Sequence, residues 1–510
     1  MTTTPGSPDD PAAADPADGA VSTTTPDAGE DFSADRRFFG HPLALANLFS
    51  VELWERFSFY GMQAVMTLYL YYTTQGGLGL DKGEATSIIG AYGGMVYLAC
   101  VGGAWVADRV LGAERTLFLS ACVVMLGHIA LAVLPGLGGV AVGLVLVAFG
   151  SGGVKTAATS VVGSLYRRDD PRADAGFSIF YMGVNIGALV GPLLTGLTRA
   201  GLESFHLAFG LAAVGMALGL AIYVTGRKNL PASASAVPNP LAPGAWVRPV
   251  AGVVAAAVVV VLLFVFDVLT PDNLSTAVAI VVALIAIALF ALLLTSHRVT
   301  SDERSRVRSF IPMWLASVVF WSLFQQQFSV VEIYADERLN RVLGGWEMPT
   351  EFVNSLEPFF VIVLAPIFAV LWTKLGERAP STPVKFALGA GGMGIAFLLF
   401  LPWAGGSGNS TPVLALVLIL LVFALAEMCL SPVGLSLSTR IGPSLFRSQT
   451  VALFYLSVSL GSALAGTLAG FYDPSVEGAY FASLGVVALV LGGLLFGLSP
   501  WIRKAMRGVR

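Results

Sequence analysis

The composition of the chain indicates a protein that lies largely in a membrane. It has 510 residues, of which 55% are hydrophobic and only 12% charged, and its formal net charge is −3. A soluble protein of this length needs more charged residues to cover its surface. The sequence contains no nucleotide-binding glycine loop, no HExxH, no GxSxG and no basic cluster with interleaved aromatic residues. These observations argue against an ATP-driven pump, a hydrolase and a nucleic-acid partner, so we expect no enzymatic activity.

The three cysteines do not form a metal-binding pattern. Cys100, Cys122 and Cys429 each lie in an apolar run, without the short spacing of metal ligands. They are predicted to be small core residues. The sequence therefore predicts neither a metal site nor a cofactor.

The start of the chain differs in composition from the rest. Residues 1–37 are acidic, rich in Thr, Pro, Ala and Asp, and lack an apolar run. A signal peptide would need a basic start followed by an apolar segment. We therefore predict a disordered cytoplasmic tail in this region.

Fourteen apolar segments long enough to cross a bilayer follow the tail. They lie at about 45–73, 84–107, 114–134, 138–165, 175–199, 204–225, 247–269, 275–296, 309–334, 353–374, 383–403, 411–438, 447–471 and 478–499. The longest interruption between them is the polar, Pro-rich stretch 226–246.

The count of segments favours two six-helix bundles. The stretch "GGAWVADRVLGAERT" (102–116) places charges in a tight turn after the second segment, as in major facilitator transporters. We expect an all-α membrane protein with that fold. Its parts would be a six-helix bundle at 38–225, a linker with an inserted helix pair at 226–308, and a second six-helix bundle at 309–510.

The distribution of Lys and Arg predicts the orientation. If both termini lie in the cytoplasm, 23 of the 29 basic residues fall in cytoplasmic segments, four in outer segments and two within spans. Basic residues concentrate in the cytoplasmic loops of membrane proteins. We therefore expect a multi-pass protein of the inner (plasma) membrane, surrounded by the lipid bilayer, with both termini in the cytoplasm and acting as a monomer.

The first segment carries charges that need a partner other than lipid. "VELWERFSFYG" (51–61) places Glu52, Glu55 and Arg56 within five residues. Each ionised side chain at the bilayer centre costs about 2.5–3.5 kcal/mol on insertion scales. At helical spacing Glu52 and Arg56 lie one turn apart on one face. One interpretation is a structural ion pair that holds the bundle together, but such a pair needs only one acid and one base. The second glutamate therefore favours a role in proton movement.

Three motifs resemble those of the proton-dependent oligopeptide transporter family. "ELWERFSFYG" is similar to the ExxERFxYYG signature of that family's first helix, and "FSIFYMGVNIGALVGPLL" (177–194) resembles FYxxINxG on its fifth helix. "LAEMCLSPVGLS" (425–436) is similar to a segment of its tenth helix. The resemblance runs from about residue 38 to the end and includes the extra helix pair of bacterial members. It implies proton-driven import of di- and tripeptides by alternating access.

The resemblance also implies roles for individual residues. Lys155, in the middle of the fourth segment, matches a lysine that binds the peptide carboxylate, a task it would share with Arg56. Glu427 matches a glutamate that faces the peptide amino group. Without the motifs, a polar residue in a span is more often explained by a helix–helix hydrogen bond. The other positions implied to line the substrate site are Tyr60, Tyr97, Asn185, Trp321 and Phe454.

The sequence departs from the family pattern at four positions, and at one of them Phe454 replaces a frequent tryptophan. Gln63 stands where a second basic residue is usual, Gln325 where a glutamate faces the lysine, and Glu357 where an asparagine is common. One carboxyl group has thus moved to the next helix. Either the chain has drifted toward a different substrate, or Glu357 takes over the pairing with Lys155 or the proton transfer lost at Gln325.

Acids outnumber bases among the predicted site residues. The two sets are Glu52, Glu55, Glu357 and Glu427 against Arg56 and Lys155. Because an uncompensated buried charge neutralises, at least one carboxyl group should hold a proton when the site is closed and empty. Proton-coupled import of small peptides fits this requirement, with Glu52, Glu55, Arg56 and Glu357 as the coupling residues. The alternatives are a carrier of another small zwitterion or peptidomimetic, and a peptide sensor without transport activity.

Overall fold

The computed structural model describes residues 35–167, 170–242 and 244–509, apart from the side chain of Glu377. Most of the predicted tail, residues 1–34, lies outside this range. The described chain is mainly helical. Its α-helices are α1 Leu43–Tyr71, α2 Lys82–Val106, α3 Ala113–Val133, α4 Gly136–Ser164, α5 Ala173–Leu202, α6 Phe205–Gly226, α7 Val247–Val265, α8 Leu274–Thr295, α9 Ser301–Phe324, α10 Val330–Arg338, α11 Leu356–Leu375, α12 Thr382–Leu398, α13 Val413–Ile441, α14 Arg447–Ala469 and α15 Glu477–Ala505.

The helices account for all fourteen predicted spans. Thirteen helical segments of the described chain are long and apolar enough to cross a membrane, and α9 and α10 together form one of them. The fourteenth is α1, which has 29 residues and is less apolar because of its three charges. The prediction of an all-α membrane protein with fourteen spans is confirmed.

The helices pack as two bundles with a helix pair between them. In the first bundle α1 packs against α5 and α6, α3 against α4 and α6, and α2 against α4. In the second, α12 packs against α13 and α15, and α9 against α14. Of the inserted pair, α8 contacts α2 and α14, whereas no residue of α7 is buried. The apolar surface of α7 is therefore suited to lipid.

The second bundle begins earlier than predicted. The helix α9 starts at Ser301, so the expected boundary between 308 and 309 falls inside it. Thr300 caps the helix: its hydroxyl accepts from the Glu303 N–H at 3.3 Å, and Glu303 Oε2 accepts from the Thr300 N–H at 3.0 Å. Hydropathy missed this first part because it is helical but charged, and a reciprocal cap of this kind stabilises such a start.

The predicted ninth span, 309–334, is not one continuous helix. It is interrupted by a 3₁₀ turn at Gln325–Phe328, and Ser329 is non-helical with φ −140° and ψ −93° before α10 begins. Tight turns of this kind inside long helices often mark functional positions. The interruption places Gln325 on the turn itself.

Four two-residue strands were not predicted from the sequence. Strand β1 (Leu339–Asn340) pairs in parallel with β4 (Thr411–Pro412), and β2 (Val342–Leu343) pairs antiparallel with β3 (Trp346–Glu347). Segments this short carry no detectable alternation of apolar and polar residues. They tie together the loops that follow α10 and precede α13.

The two bundles pack against each other through α2 and α14, and polar contacts join them at one end, which we call the closed end. The hydroxyls of Tyr71 and Tyr72 both donate to Asp336, the latter at 2.7 Å. Arg199 of α5 pairs with Glu351 through two hydrogen bonds of 2.6 and 2.8 Å. Further contacts across this end join Lys82 to Glu337, Thr67 to the Phe328 carbonyl, and Ser355 to the Leu189 carbonyl.

The chain termini lie at the opposite end, which we call the termini end. Arg172 Nη1 donates to the Asp35 carbonyl at 3.3 Å, and Ser305 Oγ donates to the Ala505 carbonyl at 3.0 Å. Asp35 Oδ2 also accepts from the Leu43 N–H, so the last residues of the predicted tail are in contact with α1. Burial and the charge of Arg172 lower the pKa of His41 in this region.

Candidate functional site

A cavity of about 770 Å³ lies between the two bundles. Its volume falls in the range of small-molecule binding sites. Thr159, near the end of α4, and Thr439, near the end of α13, line it toward the termini end. Because the bundles meet at the closed end, this conformation gives access to the cavity from the termini end.

The cavity collects nearly all of the predicted site residues. Glu55 alone of the twelve is not part of its wall and lies behind it, wholly buried. The residues at the wall are Glu52, Arg56, Tyr60, Tyr97, Lys155, Asn185, Trp321, Gln325, Glu357, Glu427 and Phe454.

Glycines allow α5 to approach the charged turn of α1. A Cβ at Gly187 would lie 2.3 Å from the Leu53 carbonyl oxygen, and one at Gly191 would lie 2.5 Å from that of Phe57. Small residues at such crossings let two membrane helices pack backbone to backbone. This contact explains the spacing of glycines in the fifth-helix motif and holds the α1 turn that carries Arg56.

Arg56 is the centre of a buried charge cluster. Its Nε lies 2.9 Å from Glu52 Oε1 and 2.7 Å from Glu55 Oε2, and Ser151 Oγ donates to Glu55 Oε1 at 2.7 Å. Both Nη groups of Arg56 are buried and have no hydrogen-bond partner within the described residues. A guanidinium group with two free amino groups at a cavity wall is suited to bind a carboxylate through paired hydrogen bonds.

Lys155 provides a second cation on the same wall. A Cβ at Gly152 would lie 2.6 Å from the carbonyl carbon of Ala99, so α4 passes close to α2. The Lys155 Nζ lies 4.3 Å from the centre of the Tyr97 ring and 5.9 Å from that of Phe59. It forms no ion pair with any residue of the described segments. Aromatic faces hold such a cation without neutralising it.

The second bundle contributes two carboxyl groups that contact each other. The side chains of Glu357 and Glu427 are neighbours at the cavity wall, beside Ser431, and Glu357 Oε1 is buried without a hydrogen-bond partner in the described chain. The two glutamates are 7% and 9% exposed, respectively. Two neighbouring buried carboxylates repel each other and lose their hydration, so one member of the pair must carry a proton. The expected pairing of Glu357 with Lys155 does not occur in this structure, because α11 packs against α13 and directs Glu357 toward Glu427.

Two amides make neutral contacts at the cavity. Gln325 Nε2 donates to Ser462 Oγ at 2.9 Å, and the Gln325 side chain lies near the Tyr97 hydroxyl. Asn185 Nδ2 donates to the carbonyl oxygen of Tyr181 at 3.0 Å. Tyr97 therefore lies between Gln325 and Lys155, whose Nζ is above the Tyr97 ring.

Several cavity residues were missed by the sequence analysis. Tyr181 precedes Asn185 by four residues and Ser431 follows Glu427 by four, so helical spacing would have indicated both. Tyr455 and Phe328 also line the wall. Phe328 belongs to the interruption after α9, and no local signal in the sequence predicts its position.

Comparisons with known proteins agree with this arrangement. A family model described as "PTR2: POT family" matches residues 114–482. A di-/tripeptide transporter of Lactococcus lactis subsp. lactis (strain IL1403) is 38% identical over 494 residues, covering 93% of this chain and 99% of that protein.

Solved structures show the same fold. A crystal structure of the peptide transporter POT in complex with sulfate has a TM-score of 0.89 and 42% identity, covering 93% of this chain and 98% of that one. A POT family transporter in complex with 5-aminolevulinic acid has a TM-score of 0.87 and 36% identity, covering 93% and 100%. The chain belongs to the POT family.

Proposed function

We propose that this protein imports di- and tripeptides together with protons by alternating access. The Lactococcus lactis relative carries the name of a di-/tripeptide transporter, and it is similar over almost its whole length. The observation that carries the proposal is the charge arrangement of the cavity. On one wall lie the Arg56 donors and Lys155, which have no hydrogen-bond or ion partner, respectively, among the described residues, and the neighbouring carboxyl groups of Glu357 and Glu427 lie on the other.

This arrangement matches the two charged ends of a peptide. Arg56 and Lys155 would bind the carboxylate, and Glu427, with Asn185 and Glu357, the amino group. Tyr60, Tyr97, Trp321 and Phe454 would surround the side chains, while Gln325 would position Tyr97. The indole N–H of Trp321 has no partner in the described chain, which leaves it available to a bound peptide.

Proton coupling would use carboxyl groups whose environment changes during the cycle. Glu52 and Glu55 share one cation, Arg56, so a peptide carboxylate that draws on the Arg56 guanidinium weakens its hold on both acids. A proton on one of them then compensates for the lost attraction. Glu357, which shares a proton with Glu427, would exchange it when a peptide ammonium arrives.

The proposal includes the setting of the protein. It would lie in the inner (plasma) membrane as a monomer, with both termini in the cytoplasm. Its parts would be the two six-helix bundles, at 38–225 and from Ser301, joined by the linker and helix pair. In this orientation the closed end faces outward and the cavity is open to the cytoplasm.

The test is uptake of labelled dialanine into proteoliposomes with an imposed inward proton gradient. We expect accumulation above equilibrium that an ionophore abolishes, while exchange of internal for external peptide continues. Uphill uptake that persists with the ionophore would refute proton symport. Peptide binding without any accumulation would instead indicate a sensor.

A second candidate is a carrier of another small zwitterion. The observation in its favour is the related transporter solved with 5-aminolevulinic acid, which has an amino group and a carboxylate but no peptide bond. The same proteoliposomes distinguish the two. Both 5-aminolevulinic acid and unlabelled dialanine are tested as inhibitors of labelled dialanine uptake. Inhibition by 5-aminolevulinic acid at lower concentrations than by dialanine would favour this candidate.

A further inference from the structure

The closed end contains a buried carboxyl group that the substrate site does not use. Glu332 lies in the first turn of α10 and is 0% exposed. Neither of its carboxyl oxygens has a hydrogen-bond partner within the described residues. It lies outside the wall of the cavity, and its position was not singled out in the sequence.

The surroundings of Glu332 are polar and acidic. Thr67 and Tyr71 approach it from α1, Glu351 and Asn354 from the segment before α11, and Asp336 from its own helix. Both atoms of the Asn354 amide are also buried and unpartnered in the described chain. No cation is among these neighbours.

The cations of the closed end already have other partners. Arg199 is bound by both oxygens of Glu351, and Arg341 lies 3.6 Å from Asp336. Lys82 pairs with Glu337. A buried carboxylate without a cation or hydrogen-bond donors costs several kcal/mol or more, so the group stays neutral instead. Closure of this end therefore requires a proton on Glu332.

Polar residues near the start of α10 border a second, smaller cavity. Ser329 precedes it by three residues, and its buried hydroxyl has no partner within the described residues. Ser329 lines a small cavity of about 10 Å³ together with Gln63 and Gln325. Both glutamines also line the substrate cavity. The small cavity approaches the volume that one water molecule needs.

We propose that Glu332 carries a proton through the transport cycle, an inference that rests on the proposed proton symport. When the bundles separate at the closed end, the Glu332 carboxylate meets water on that side and takes up one proton, forming an O–H bond. Closure buries the neutral acid. With the cavity open at the termini end, the O–H bond breaks, and the proton passes by Ser329 and the small cavity to the substrate cavity. The carboxylate, now repelled by Glu351 and Asp336, favours reopening of the closed end.

The test compares the wild type with Glu332→Gln and a matched control, Glu337→Gln. Glutamine has the shape of the protonated acid but cannot release a proton. Glu337 lies on the same helix but is partly exposed and paired with Lys82. In proteoliposomes, the proton-to-dialanine ratio is obtained from the substrate gradient that balances an imposed pH gradient. Peptide exchange and the dependence of uptake on external pH are measured alongside.

We expect Glu332→Gln to transport one proton fewer per peptide, with a flatter pH dependence and with exchange retained. Glu337→Gln should keep the wild-type ratio. An unchanged ratio and pH profile in Glu332→Gln would overturn the inference, and so would loss of folded protein, because the neutral isostere should pack as the protonated acid does. If the wild type itself shows no proton-driven accumulation, the proposed function fails, and this inference with it.

Discussion

The two walls of the cavity neutralise their acids in different ways. On the first bundle, Glu52 and Glu55 are balanced by Arg56, whose guanidinium remains charged at any physiological pH. On the second bundle, no Lys or Arg of the described chain reaches the cavity, and Glu357 and Glu427 lie next to each other. One wall therefore carries a fixed charge and the other a charge that depends on a proton.

This difference separates the two tasks of the proposed transporter. The Arg56 guanidinium attracts a carboxylate throughout the physiological pH range, whereas a carboxyl pair binds an ammonium group best after its proton has left. Substrate affinity should therefore depend on pH mainly through the second wall. Four predictions test this contrast.

The largest effect is expected at the centre of the first wall. Arg56→Gln leaves two buried glutamates without a cation, and breaking a buried ion pair from one side costs about 3–5 kcal/mol, or about a hundredfold or more in the affected equilibrium. We expect loss of measurable dialanine uptake in proteoliposomes. Arg56→Lys restores the charge but not the two Nη groups, so it should fold and still bind poorly.

Comparing dialanine with its C-terminal amide shows whether Arg56 acts through the carboxylate. The wild type should prefer the free acid, and Arg56→Lys should lose most of that preference. If Arg56→Lys still prefers dialanine to its amide as strongly as the wild type does, another residue binds the carboxylate and Arg56 has a structural role.

A smaller loss is expected for the second cation. Lys155 has no ion partner in the described chain, so Lys155→Gln leaves no buried charge behind. A hydrogen bond to a charged group contributes about 1.5–3 kcal/mol, which is about tenfold or more in affinity. We expect the KM for dialanine to rise by this factor and uphill accumulation to fail. The exposed Lys228 is the matched control, and Lys228→Gln should behave as the wild type; equal behaviour of the two variants would contradict a role for Lys155.

On the second wall, Glu357→Gln should impair coupling more than transport. The amide can donate permanently to Glu427 and so replaces the shared proton with a fixed hydrogen bond. Uphill accumulation should fall several-fold and lose part of its pH dependence, while peptide exchange stays close to the wild-type rate. The double variant Gln325→Glu, Glu357→Asn should recover part of the accumulation. An unchanged pH profile in Glu357→Gln would make Glu357 a simple contact for the substrate amine.

The smallest effect is expected where the first wall uses an aromatic ring. Tyr97→Phe keeps the ring beneath Lys155 and loses only the hydroxyl contact with Gln325, so uptake should change by less than about twofold. Tyr97→Leu also removes the cation–π contact, which contributes about 0.5–2 kcal/mol, and should raise the KM for dialanine further. If Tyr97→Phe proves as damaging as Tyr97→Leu, the hydroxyl rather than the ring positions Lys155.

The site could be predicted to a large extent because charges are rare within apolar segments. Glu52, Arg56 and Lys155 were conspicuous in their spans, and each lies at the cavity wall. Their assigned roles remain predictions. Glu332 was not predicted as a site residue, because it lies in a part of the ninth span that none of the family motifs covers.

Segment number and type were determined by the sequence alone. Hydropathy and length are local properties, and a bilayer requires helices about 20 residues long. The resemblance of three short motifs indicated the POT family for the same reason, since each motif lies within a single helix.

The pairing of charges was decided by the tertiary structure. Whether Glu357 meets Lys155 or Glu427 depends on the rotation of α11 against α13, which the packing of both helices determines. The interruption after α9, the Arg199–Glu351 pair and the burial of Glu332 likewise depend on how the two bundles meet at the closed end. These contacts join residues more than a hundred positions apart or on separate helices, and no local pattern of hydrophobicity encodes which of them form.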